Sequence, residues 1–364
     1  MSNDLGRPRP AWRQLFGVPL VVTLSFGALM LITAIVAGLP VRDPDGFIGP
    51  SYVRLPLMIA IVMMADVVPR VIRRRPGYRN WFPAMAGVLR ERWTGPRLAV
   101  IAAGLATFYL AYVAYRNLKS FLPFLQEHLT DPALAAIDSW LAFGAHPADV
   151  LHLLLGTGIS AHILSLVYMF YMLFVPLTLA ASLAWANDLA RGAWYATALS
   201  FNWILGTATY YMLPALGPIY AAPAPFADLP PTEVSGLQDA LWENRLEVLA
   251  GPHDTLTVHG IAAFASLHVS VVFTAALIAH LTRMPNPVRV FMWIYVVLTC
   301  VATIYFGWHY VVDVPAGFAV GGLSVWLAWL AVRRGRPTLD VEIGRTGAIR
   351  QEAGATAPSP GERT

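Results

Sequence analysis

Two short pieces near the C-terminal end carry side chains able to do chemistry together. Ala265-Ser266-Leu267-His268 opens one apolar stretch, and His309-Tyr310-Val311-Val312-Asp313 opens the next but one. A histidine and an aspartate four residues apart share one face of a helix. A carboxylate so placed holds the imidazole in one tautomer and raises its basicity. His309 is therefore the candidate nucleophile, and Asp313 the group that orients it and stabilises the positive charge the ring gains on attack. His268 is the candidate general acid. It would protonate the departing oxygen and later take a proton from the incoming hydroxyl. The set is the minimum equipment for metal-free phosphoryl transfer through a phosphohistidine. The bland alternative is an interfacial histidine beside an aspartate that complements a helix N-terminus.

A phosphate also needs cations. Lys119 is the only lysine of the chain and follows Arg116 by three residues, so both point the same way if that stretch is helical. Arg245 lies on an expected outer helix and is the third candidate. Arginine suits bidentate phosphate contacts and lysine a point charge. Ser266 is a candidate hydrogen-bond partner for phosphate. Snorkelling to headgroups is the competing reading for the cations. His253, Asp254 and His259 sit on the same side as the histidine pair. No H-E-x-x-H or comparable spacing accompanies them, so no metal and no cofactor is expected. His152, His162 and His280 read as packing or interfacial residues.

The elements that position these groups are membrane spans. The 364 residues are 57% hydrophobic and only 13% charged, with mean hydropathy +0.57. Soluble domains carry about a quarter charged residues, so the chain belongs in lipid. The single cysteine, Cys300, excludes an internal disulfide or a thiolate cluster. A net charge of +4 does not argue for nucleic acid, because the arginines sit in loops between apolar runs. The first apolar run lacks a small-residue cleavage site and is long enough to span.

Eight apolar runs, at 16–38, 52–72, 97–115, 160–186, 190–213, 261–282, 289–306 and 312–332, approach the length a bilayer requires. The fold expected is all-α: a polytopic bundle of about eight spans with a six-helix catalytic core and short outer interfacial helices. The organisation expected is two N-terminal spans over 1–75, a basic interfacial linker over 76–96, the core over 97–333 and a disordered tail over 334–364. Asp66, near the inner end of the second span, should pair with a neighbouring arginine. With the N-terminus in the cytoplasm, twenty of the 25 Lys and Arg residues fall inside. That orientation puts both termini in the cytoplasm, with the plasma membrane as the expected location, and 116–159, 214–260 and 307–311 on the extracytoplasmic side with both histidines. Residues 131–155 read as one outer helix. Residues 235–249 read as another, capped by Ser235, with Leu237, Leu241 and Val248 on its apolar side.

These motifs resemble the type-2 phosphatidic acid phosphatase superfamily. More narrowly, they resemble its inositolphosphotransferase branch, with inositol phosphorylceramide synthase and the sphingomyelin synthases. The resemblance covers about residues 97–333. Ser266-Leu267-His268 stands where the superfamily has Ser-Gly-His, and leucine there is typical of the transferase-like branch. His309 and Asp313 match the third motif's nucleophile and orienting carboxylate, and His268 its acid/base. Pro214-Ala215-Leu216-Gly217-Pro218 looks like the branch's outer loop. Two features depart from the pattern. The Ser-Arg before the nucleophile is Ala302-Thr303, so a phosphate-binding arginine is missing. The first motif survives only as Arg116, Lys119 and Pro123. The resemblance implies an enzyme acting on a membrane lipid substrate, with water, a small polyol or a lipid alcohol as acceptor, and no nucleic acid. The alternative within the class is a plain phosphatase of phosphatidic acid or an isoprenoid phosphate. The rival from another class is a transporter or scaffold without chemistry, which would place polar residues at mid-depth in the spans.

Overall fold

The computed structural model describes residues 10–45, 51–185 and 188–333. The expected tail over 334–364 lies outside the described residues. Thirteen α-helices are described and, among these residues, no strand. They are α1 (Ala11–Ala37), α2 (Ser51–Arg74), α3 (Trp81–Arg92), α4 (Gly95–Leu125), α5 (Asp131–Leu141), α6 (Pro147–Leu155), α7 (Ile159–Ala180), α8 (Leu189–Met212), α9 (Pro218–Ala221), α10 (Glu233–Ala250), α11 (Leu267–Leu281), α12 (Asn286–Tyr305) and α13 (Asp313–Arg333). The all-α bundle matches the expectation.

Five helices are long and apolar enough to cross a bilayer: α1, α4, α7 with its π-helical extension Ala181–Trp185, α12 and α13. The other three expected spans differ for separate reasons. α2 and α8 have the length, 24 residues each; the apolar run of α2 is interrupted by Asp66 and Arg70, and α8 is lower in hydropathy. α8 packs against α1, α4, α11 and α13, so its polar side chains face protein rather than lipid. Asn202 of α8 donates to Thr274 at 3.0 Å and accepts from Ser270, both on α11. Such bonds hold helices together where no water competes.

α11 is short, 15 residues, because the chain before it is not helical. The apolar run at 261–282 begins in an irregular segment that enters the bundle. Buried backbone of this kind needs partners supplied by protein. His259 N donates to Ser120 Oγ, Ala263 N to the Ala215 carbonyl, Ala265 N to Thr209 Oγ1 and Ser266 N to the Asp313 carbonyl. The third expected run, 97–115, extends in both directions as α4. Arg116 and Lys119 are therefore on a span helix and not in an outer loop.

The outer elements also differ from expectation. Residues 131–155 form two helices, α5 and α6, separated at Phe143 and Gly144, which adopt positive φ. α10 is capped by Thr232 rather than Ser235. The Thr232 side chain accepts from Ser235 N while Ser235 Oγ accepts from Thr232 N. That reciprocal box satisfies two donors at once. Val248 is buried, and Leu237 and Leu241 pack under α10 on the cluster around Tyr305 and Trp308, as its apolar pattern implies. Asp66 pairs with arginine as expected, bonding Arg70 Nε at 3.1 Å and Arg92 Nε at 2.9 Å.

Candidate active site

His309 sits in the turn between α12 and α13, not on a helix. The Thr303 carbonyl accepts from both Trp308 N and His309 N and closes that turn. Gly307 makes the reversal with φ +67°. A Cβ there would lie 2.3 Å from the Phe226 ring, so only glycine fits. Asp313 begins α13. The pair forms, but through the turn and not through a shared helix face: His309 Nδ1 lies 3.1 Å from Asp313 Oδ2, and Tyr310 N donates to the same oxygen at 3.0 Å. A carboxylate oxygen that already accepts from Tyr310 N suits an Nδ1–H donor, which leaves the Nε2 lone pair free of this contact. Among the described residues no group donates to Nε2. His309 is 5% exposed and Asp313 is fully buried.

His268 lies in the first turn of α11, with its ring centroid 6.1 Å from that of His309. Tyr168 of α7 stacks on it at 4.6 Å and Tyr171 tilts against it at 4.2 Å. Trp308 covers the other face of Tyr168 at 5.2 Å. The two histidines keep this spacing because α11 and α13 start side by side. Besides the Ser266 N bond to the Asp313 carbonyl, Gly317 leaves room for the Ser266 carbonyl, which would stand 2.6 Å from a Cβ there. Ser266 is fully buried, and its hydroxyl caps α11 by accepting from Val269 N at 3.4 Å. A hydroxyl that accepts as a cap still has a proton to donate. Leu267, in the place of the superfamily's glycine, lies over Gly206 of α8. A Cβ at Gly206 would meet it at 2.5 Å. The leucine is accommodated by a glycine on the facing helix.

The three expected phosphate cations lie near one another. Lys119 is buried over Tyr210, its ammonium 4.8 Å from that ring, with Tyr115 at 5.8 Å. It does not snorkel to a headgroup. Arg245 Nη1 lies 3.1 Å from His259 Nε2. A guanidinium can only donate, so that imidazole is neutral. Burial first, then the charges of Arg245, Lys119 and Arg116, hold His259 well below the usual imidazole value. Arg116 has a buried Nε without a hydrogen-bond partner. Among the described residues, no ion pair involves any of the three. His253 is placed elsewhere, bonded to the Gly38 carbonyl. No three His, Cys, Asp or Glu side chains of the described residues converge as a metal site needs. His152, expected as packing, bonds the Tyr305 carbonyl at 2.9 Å.

Sequence reading missed two residues of this site, both on α5. Asp131 accepts from Leu216 N at 2.9 Å, Gly217 N at 2.9 Å and the Tyr310 hydroxyl at 2.9 Å. Asp138 accepts from Val311 N at 2.9 Å through both oxygens. One helix thus ties the 214–218 loop to the turn that carries His309. Gly217, at φ +99°, passes so close to the Trp308 carbonyl that a Cβ would stand 2.6 Å away. Burial pushes the Asp138 carboxyl up to about 6, helped by the Asp313 charge and opposed by the Val311 and Val312 N–H groups. Burial and the adjoining Asp131 raise the Tyr310 phenol as well. The available signal was the spacing: positions 131 and 138 are seven apart, two helical turns, and so share a face.

With this geometry in place, comparison with known families is informative. The model of the PAP2 superfamily matches residues 132–327, more than half of the chain. That segment holds Asp138, Arg245, His268, His309 and Asp313, while α4 with Arg116 and Lys119 precedes it. No curated protein and no solved structure matches the chain. Superfamily members are phosphatases and phosphotransferases, which supports an enzyme acting on phosphate esters at a membrane. The chain therefore belongs to the PAP2 superfamily.

Proposed function

We propose that the protein is a lipid-phosphate phosphotransferase of the inositolphosphotransferase type, working through a phosphohistidine on His309. The observation that carries this is the His309 Nδ1 to Asp313 Oδ2 contact of 3.1 Å, with His268 6.1 Å away ring to ring. The spacing lets both imidazoles address one phosphorus, since reacting atoms must approach within about 3–3.5 Å.

In the first step Nε2 of His309 attacks phosphorus. The bond from phosphorus to the lipid-side oxygen breaks, and that oxygen takes the proton of a protonated His268. Asp313 stabilises the cationic ring that results. In the second step His268, now neutral, takes the proton of an acceptor hydroxyl. The acceptor oxygen bonds phosphorus as the bond to Nε2 breaks, which regenerates both histidines. Lys119, Arg116 and Arg245 bind the phosphoryl oxygens, and Arg245 takes over the duty of the arginine missing at Thr303. Ser266 adds a donor. Leu267 packed on Gly206 favours the transferase branch, with inositol or another polyol as acceptor. With water as acceptor the same steps make a plain phosphatase. The lipid tail stays in the bilayer while the headgroup reaches the site from the extracytoplasmic side of the plasma membrane.

The test is phosphate release and transfer by purified protein in detergent containing EDTA. Phosphatidic acid and an isoprenoid diphosphate are offered, with and without inositol. Activity that survives EDTA and disappears in His309→Ala, with an acid-labile phosphoryl label on the protein, supports the phosphohistidine route. Phosphorylated inositol selects transfer, and free phosphate alone selects the phosphatase. Equal activity in His309→Ala overturns the mechanism.

A further inference from the structure

At the end of the bundle opposite the histidines lies an open cavity of about 450 Å³, formed by α2, α3 and the start of α4. Arg70, Arg74, Arg92 and Arg97 line it, with Glu91 the only carboxylate in its wall. Arg97 stands at the first turn of α4 and Lys119 twenty-two residues further along, so the cavity and the candidate active site are about 33 Å apart at 1.5 Å per residue. That is the thickness of a hydrocarbon core. It is a separate site.

Its guanidiniums are held in place. Asp66, behind the wall, bonds Arg70 and Arg92, and also accepts from Trp93 Nε1 at 3.2 Å. Arg92 donates to the Trp185 carbonyl and Arg97 to the Ala184 carbonyl, both at 2.8 Å. Arg74 pairs with Glu91 at the rim. Among the described residues that line the cavity, four arginines stand against the one carboxylate of Glu91, so its wall is basic. The N-terminus of α4 opens into the same space through Thr94 and Pro96. Thr94 is its cap residue but makes no side-chain cap bond, and the first turn holds no acidic residue. A long helix with an unoccupied N-terminus favours an anion there.

We infer that this cavity binds the phosphate of an anionic phospholipid headgroup from the leaflet at that end of the bundle. The chemistry recognised is a phosphate oxyanion, which a free phosphate ion shares. The cavity volume and its place at the bilayer surface, one hydrocarbon thickness from Lys119, fit a phospholipid headgroup whose chains stay in the adjoining leaflet.

The test uses the whole chain on a His309→Ala background, so that the distant site does not consume the lipid. Lipid retention is read by native mass spectrometry and thermal unfolding in detergent. The probes are phosphatidylglycerol, phosphatidylcholine and sodium phosphate. Thr94→Asp is the decisive variant. Aspartate is a better cap than the unbonded threonine, so the fold is kept, while its charge repels an anion. Arg74→Gln, at the exposed rim, is the second. Phosphatidylglycerol is expected to raise the unfolding temperature where phosphatidylcholine does not, and Thr94→Asp to weaken its retention at least tenfold with no loss of unfolding temperature in lipid-free detergent. A smaller loss is expected for Arg74→Gln. Equal shifts in the parent and Thr94→Asp, or equal shifts with the two lipids, overturn the proposal. An equal shift with sodium phosphate alone overturns the lipid source in favour of a soluble anion.

Discussion

At the His309 end, three buried aspartates point at donors of the chain itself: Asp131 at Leu216 N, Gly217 N and the Tyr310 hydroxyl, Asp138 at Val311 N, Asp313 at His309 and Tyr310 N. The nearby cations Arg116, Lys119 and Arg245 are left without carboxylate partners among the described residues. At the Asp66 end the carboxylates instead hold arginines directly. The same residue types therefore do different work. Where acids hold backbone, the turn bearing His309 is fixed from several sides and the cations keep no carboxylate among the described residues. Where acids hold cations, the product is structural cohesion with a residue of positive charge over.

The contrast can be broken most strongly at Asp313. Asp313→Asn should leave the chain folded and lower turnover about a thousandfold, within the range for acid–base groups, as read by phosphate release in detergent. Next is Asp66→Asn at the other end. Removing a charged acceptor that serves two arginines and Trp93 should lower the unfolding free energy by about 2 kcal/mol. Turnover per folded molecule should not change. A loss of turnover there without a loss of stability would abolish the distinction between the ends. Lys119→Met should raise KM for a lipid phosphate about thirtyfold, roughly 2 kcal/mol of charge-assisted contact, with a smaller effect on kcat. An unaltered KM would return Lys119 to a packing role between Tyr115 and Tyr210.

The smallest effect expected is at Asp138. Asp138→Asn should lower kcat about tenfold by loosening the turn, for a misplacement well below 1 Å. Its clearest signature is in pH. The folded-state value of Asp138, about 6, lies above the ordinary 3.8, so the folded protein keeps a proton that the unfolded chain releases between those values. Its contribution to stability is full below about pH 4 and is lost as pH rises through 6. Unfolding curves of the wild type should weaken from pH 4 to 7 relative to those of Asp138→Asn.

Much of this arrangement was legible in residue order. The apolar run at 97–115 marks the middle of α4, and its continuation carries Arg116 and Lys119 on one helix, the condition under which their three-residue spacing puts them on one face. His309 and Asp313 pair as their spacing suggested. The route is a glycine-dependent turn, and Gly307 and the Thr303 carbonyl that build it were not read as such. The hydropathy of 261–265 suggested a span where the chain is irregular. Apolar side chains make a run, but only neighbours such as Ser120, Thr209 and Ala215 decide whether the backbone can leave the helix. Likewise 131–155 was read only as one outer helix, because an aspartate's sequence neighbours do not say which distant N–H groups it will meet.

The sequence by itself determined the class of molecule, most of its long apolar helices and the His309–Asp313 pairing. Those follow from apolar length and from short-range spacing, which are local properties of the chain. Only the tertiary structure decided that His268 stands 6.1 Å from His309, that Leu267 settles on Gly206, that Asp131 and Asp138 hold the turn and that four arginines surround one cavity. Each of these joins residues from helices far apart in the chain, and such contacts exist only once packing has chosen which helices adjoin.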